Sequence, residues 1–114
     1  MNLRGRIIEG RGGLYTVRDT KGQSYVLRAK NRFRREGIRP LVGDEVLFTR
    51  GRLEEHGWLE EILPRRSVSL RPPVANITQL IITLASEPPP DLMLADKLLV
   101  FAFRQDIKAL MVIN

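Results

Sequence analysis

Leu14-Tyr-Thr-Val-Arg-Asp-Thr-Lys-Gly-Gln-Ser-Tyr-Val-Leu-Arg28 is the stretch that decides the fold. Residues 14–18 are rich in β-branched and aromatic side chains, the composition of a strand. Asp19-Thr-Lys-Gly22 reads as a tight turn, and Ser24-Tyr-Val-Leu-Arg28 as the returning strand of a hairpin. Upstream, Leu3 to Glu9 sets Ile7 and Ile8 among charged residues and ends at the turn Gly10-Arg-Gly-Gly13, so it predicts a strand before the hairpin. Downstream, residues 30–40 are basic and end in Pro40, which suits a loop or short helical turn. Gly43-Asp44 opens a fourth strand, Glu45 to Thr49, and Gly57 to Leu63 makes a fifth after a polar connection over 50–56.

Five short strands at this spacing predict a small barrel or sandwich. An insertion between strands three and four is the oligonucleotide-binding (OB) arrangement, a five-stranded Greek-key barrel. We therefore expect an all-β OB domain over 1–63. Residues 64–75, Pro64-Arg-Arg-Ser-Val-Ser-Leu-Arg-Pro-Pro-Val-Ala75, break the pattern and read as a linker. After it the character changes. Ile77 to Ala85 is almost continuously apolar, as in a strand buried on both faces. Pro88-Pro-Pro90 punctuates, and Asp91 suits the N-cap of a helix from Leu92. Ala95, Leu98, Leu99, Ala102 and Phe103 recur at helical spacing on what should be its buried side, and Lys108 to Ile113 reads as a second buried strand. Residues 76–114 thus predict a βαβ unit, the start of a parallel α/β sheet. Two strands and a helix bury too little to stand alone, so this unit is expected to be incomplete.

Charge follows the same division. The 114 residues carry 19 Lys+Arg against 13 Asp+Glu, a net charge of +6. Residues 1–71 hold 16 of those cations and 9 of the anions, a net +7, which favours an anionic partner. The densest run, Arg28 to Arg39, has six cations (Arg28, Lys30, Arg32, Arg34, Arg35, Arg39) and one anion around Phe33. Phosphate backbones reward such clusters through counterion release, and aromatic rings offer stacking faces to bases. We expect phosphate contacts from the six cations, with Phe33 or Tyr25 as the stacking group. The same run could equally be a solvated face.

Other chemistries find no support. With 0 Cys and 1 His, thiolate catalysis, disulfides, Cys-type zinc sites and His relays are excluded. No apolar run approaches the ~20 residues of a membrane helix, and no signal-peptide core is present. Gly5-Arg-Ile-Ile-Glu-Gly-Arg-Gly12 has P-loop glycine spacing but lacks its Lys and Ser/Thr, and Asp19-Thr-Lys-Gly22 matches a D-x-x-G switch only as a hairpin turn would. Glu54-Glu55 and Glu60-Glu61 are adjacent pairs, whose members point to opposite faces of a strand and read as a solvated acidic edge. Trp58 reads as a core residue, with a base-stacking platform as the other reading. No catalytic residue can be assigned.

Phe33-Arg-Arg-Glu-Gly-Ile-Arg-Pro-Leu-Val-Gly-Asp44, Ile62-Leu-Pro-Arg-Arg66 and Leu70-Arg-Pro-Pro-Val-Ala-Asn76 closely resemble the N-terminal half of the ribosome small-subunit-dependent GTPase A (RsgA/YjeQ/EngC) family. The resemblance runs over essentially the whole chain, and Arg-Pro-Pro-Val-Ala-Asn followed by the apolar strand is its most specific part. It implies an N-terminal OB barrel, then a circularly permuted P-loop-type GTPase domain, of which 76–114 would be the truncated start, and a zinc-binding segment beyond. It further implies a cytoplasmic, monomeric factor that binds the small ribosomal subunit and its rRNA late in assembly and hydrolyses GTP there, with magnesium and zinc as cofactors of the full-length family. Asn114 falls where the first residue of the guanine-reading Asn-Lys-x-Asp motif would stand. The rest of that motif, the P-loop, the switch and the zinc ligands are missing, so these 114 residues should neither hold nor cleave GTP. The competing reading is a protein-interaction or intramolecular regulatory barrel without direct RNA contact. An independent initiation-factor-like barrel is disfavoured by 76–114.

Overall fold

The structure, a computed structural model, describes residues 2–52, 55–70, 72–85 and 92–113. Five strands close a barrel: β1 (Leu3–Arg11), β2 (Leu14–Asp19), β3 (Ser24–Ala29), β4 (Glu45–Thr49) and β5 (Gly57–Ile62), in the order β1-β2-β3-β5-β4 and back to β1. All neighbours are antiparallel except β3 and β5. That order is the five-stranded Greek-key arrangement that the spacing predicts.

Alternation along each strand sends one set of side chains inward. Ile7, Val17, Leu27, Val46, Phe48 and Leu59 fill the barrel and are fully buried. The short helix α1 (Asn31–Arg35) crosses between β3 and β4 and contributes Phe33 to the same core. A bulge in β1 between Ile7 and Glu9 shifts its pairing with β2 by one residue, and Ile8 lies exposed there. The turn between β1 and β2 is only Gly12-Gly13, with φ of 58° and 81°, a left-handed pair that glycine adopts without strain.

Residues 64–75, read from the sequence as a linker, hold a two-stranded ribbon, β6 (Val68–Leu70) against β7 (Pro73–Ala75). A clasp ties the ribbon to the barrel. Asp44, 0% exposed, accepts from Arg65 Nε at 2.8 Å and Nη2 at 2.9 Å and from the Leu41 N–H at 2.7 Å. The same guanidinium donates to the Arg39 carbonyl at 2.7 Å. Asn76, in the left-handed region at φ 56°, accepts from the Arg66 N–H at 2.8 Å and donates to the Gly43 carbonyl at 2.9 Å. Gly43 is obligatory here: its φ is 95° and a Cβ would lie 2.0 Å from the Ala75 carbonyl oxygen. The Asp44 bond raises the Arg65 pKa despite partial burial, as expected of a charge-assisted bidentate pair.

Beyond the clasp, β8 (Gln79–Leu84) and β9 (Lys108–Ile113) pair in parallel, linked by α2 (Leu92–Arg104). This is the predicted βαβ unit. Its Asp91 cap lies outside the described residues. Burial differs from expectation: Ile82, Ala95, Ala102 and Ile107 are buried, but Phe103 is 87% exposed, and Ile81, Leu110, Met111, Val112 and Ile113 are exposed as well. Two strands and one helix supply too few layers to cover both faces of a parallel sheet.

Candidate nucleic-acid interface

The barrel separates the basic run that sequence reading grouped together. Arg28, at the end of β3, points outward and pairs across strands with Leu14 on β2 and Trp58 on β5. Lys30, just before α1, forms an ion pair with Glu60, whose other carboxylate oxygen accepts from Thr49 Oγ1 at 3.2 Å. The Lys30 bond holds the Glu60 carboxyl below its ordinary value, outweighing partial burial. Lys30 therefore balances a local anion.

Phe33 is 4% exposed, so its ring belongs to the core and is not available to a base. The side chain faces inward because α1 plugs the barrel, and the Arg32 guanidinium lies over the ring at 4.9 Å from the centroid. Tyr25, the other stacking candidate, is half-buried. Its ring packs at 5.1 Å from that of Phe48, and its hydroxyl lies 3.1 Å from Asp19 Oδ2. Burial, then the hydrogen bond to Asp19, raises its phenol pKa. Phe33 is thus a core ring, while Tyr25 is packed on Phe48 with part of its surface open.

Arg34, Arg35 and Arg39 are exposed and their side chains have no ion pair among the described residues. Arg34 and Arg39 line a shallow cavity of 370 Å³ between α1 and the glycine turn. A second cavity of 220 Å³ adjoins it, sharing Gly13, Tyr15, Arg39 and Pro40 and adding Arg11. Together they make a groove with three guanidinium groups, Arg11, Arg34 and Arg39, that have no ion pair among the described residues, along a floor that includes Tyr15. Added Cβ atoms at Gly12 and Gly13 would meet open space, so the turn leaves the groove unobstructed. Such a groove can track a phosphate backbone, each arginine offering a planar fork to one phosphate. Arg11 escaped the sequence reading because it stands 17 residues before the cluster begins, and only the hairpin brings it back beside Arg39.

Trp58 is 43% exposed on the outer surface, contrary to the core reading. The signal was in its neighbours: Gly57 and Leu59 point inward, so Trp58 must point out with Glu60. Asn114 lies outside the described residues. Among the described residues no group of three His, Cys, Asp or Glu could hold a metal, and no helix is long and apolar enough to cross a membrane.

A closed five-stranded barrel with a cationic groove, joined through its clasped ribbon to a parallel βαβ unit, defines an OB-type module followed by an α/β element. Residues 4–59 match the family model of the RsgA N-terminal domain. The chain is 41% identical, over 98% of its length and 38% of the relative's, to the small ribosomal subunit biogenesis GTPase RsgA of Caldanaerobacter subterraneus subsp. tengcongensis. It is 40% identical to the protein of the same name from Enterococcus faecalis, over 93% of the chain and 35% of the relative. Two solved structures superpose on nearly all of it. One is YloQ, a circularly permuted GTPase (TM-score 0.82, 30% identity, 99% of this chain and 40% of that one). The other is YjeQ from Thermotoga maritima (TM-score 0.84, 28% identity, 100% and 41%). The chain belongs to the RsgA family of ribosome-biogenesis GTPases and spans about two fifths of the length of the curated relatives it matches.

Proposed function

We propose that this chain is the N-terminal part of a cytoplasmic, monomeric GTPase of small-subunit biogenesis, and that its barrel docks the protein on the RNA of the small ribosomal subunit. The observation that carries this reading is the groove with Arg11, Arg34 and Arg39, unpaired among the described residues, in a chain whose first 71 residues carry net +7. Contacts there would be to phosphates, which fix position and carry no sequence information directly. Residues 76–114 would open the nucleotide-binding domain. Asn114, the position assigned to guanine, lies outside the described residues.

Fluorescence anisotropy of the chain with labelled small-subunit rRNA across a salt series tests this. Affinity should fall steeply with salt, and replacing Arg11, Arg34 and Arg39 together by Ala should lower the log–log slope by about one per arginine. An unchanged slope removes the groove from the interface. One observation favours a second reading. The clasp fixes the barrel on the ribbon that leads into β8, as an intramolecular regulatory module would require. RNA binding matched by any polyanion would support that alternative.

A further inference from the structure

Trp58 is the single tryptophan of the chain, and it is spent on the outside of the barrel. Neither a ring nor a guanidinium among the described residues stacks on it. Cross-strand register places it in one outward row running Leu14 (β2), Arg28 (β3), Trp58 (β5) and Thr49 (β4). Adjacent strands lie ~4.8 Å apart, so Arg28 stands directly beside the indole. Arg28 has no hydrogen bond or ion pair among the described residues. Glu60, two residues along β5 from Trp58, is matched by Lys30 and Thr49 and forms no ion pair with Arg28.

We infer that Trp58 and Arg28 form a base-stacking step. The indole face takes an unstacked nucleobase of single-stranded RNA, and Arg28 takes the phosphate beside it. The inference rests on the RNA-docking reading and adds to it a place where the barrel distinguishes single-stranded from paired RNA. Chemistry selects this occupant. A tryptophan anchoring a protein interface sits in an apolar patch, whereas here two apolar neighbours, Leu14 and the exposed Val26, are outnumbered by polar or charged ones: Arg28, Thr49, Lys30, Glu60 and the exposed His56. Sequence-tolerant stacking beside a cation is how single strands are held, and paired bases offer no free face.

Because there is 1 Trp, its emission reports on this position alone. The full chain is titrated with a labelled unstructured oligouridylate, with an RNA duplex of equal length and with heparin, following indole emission and RNA anisotropy together. Emission should be quenched in step with anisotropy by the single strand, and not by duplex or heparin. Trp58→Ala should weaken single-strand binding about tenfold while leaving duplex binding and the melting temperature unchanged, and Trp58→Phe should retain most of the affinity. Arg28→Ala should weaken binding and lower the salt slope by about one without abolishing quenching. Saturating RNA binding with unchanged emission, or equal quenching by heparin, overturns the stacking step and leaves the phosphate groove standing. Absence of any RNA binding would overturn the docking reading itself.

Discussion

The barrel and the βαβ unit are both rich in Ile, Leu and Val, yet they treat these residues in opposite ways. In the barrel, Ile7, Val17, Leu27, Val46, Phe48 and Leu59 are at most 1% exposed. In the βαβ unit, Phe103 is 87% and Ile113 78% exposed. The difference is closure. A sheet that pairs its last strand with its first has no free edge and gives every strand the same interior. Two parallel strands with one helix leave most of two faces open. Residue type and periodicity decide which face a side chain shares, and the number of layers decides whether that face is covered.

Paired substitutions should expose this contrast most sharply. Phe48→Ala removes a fully buried ring and should cost about 3–5 kcal/mol of barrel stability in urea unfolding. Phe103→Ala should change stability by no more than about 0.5 kcal/mol. Similar losses at the two positions would mean that Phe103 is covered in solution.

The clasp at the junction comes next. Arg65→Ala would leave the fully buried Asp44 carboxylate with only the Leu41 N–H, at a cost of about 3 kcal/mol. The Ala75 amide, which donates to the Val42 carbonyl at 2.9 Å, should then exchange hydrogen faster. Wild-type exchange there would show that the ribbon is held without the clasp.

The smallest effect concerns acid. The Glu60 pKa is depressed below 4.5, first by the Lys30 hydrogen bond. Its folded form therefore binds a proton more weakly than the unfolded chain does. The pair's stabilisation is complete above about pH 4.5 and is lost as pH falls through the folded value. The partly exposed position of Lys30 limits the contribution to about 0.5 kcal/mol. Lys30→Ala should flatten the stability–pH curve by that amount over this window, and an unaltered curve would remove the pair from the account.

Much of this architecture was legible in the sequence because it is local. Alternation in Leu14 to Arg28, the glycine turns and the helical spacing from Ala95 each announce an element within a few residues. What was missed depends on distant partners. Asp44 and Arg65 are 21 positions apart, and Asn76 reaches back 33 to Gly43, so nothing in Pro64 to Ala75 alone announces the clasp. Phe33 looked like a ring among arginines until α1 turned it into the barrel. Of the cations grouped as an interface, Arg34 and Arg39 line the groove, Lys30 and Arg32 are engaged by Glu60 and Phe33, and Arg28 stands beside Trp58. A run of like charges identifies a basic region, but strand direction and local partners decide which members face a ligand.

The central claim is that the barrel carries docking to the small ribosomal subunit. Co-sedimentation of the chain with purified small subunits across a salt series, with large subunits as control, tests it most directly. Retention should be selective for the small subunit, fall steeply with salt, and be lost when Arg11, Arg34 and Arg39 are replaced together by Ala. A folded chain that pellets with neither subunit, or equally with both, would contradict it.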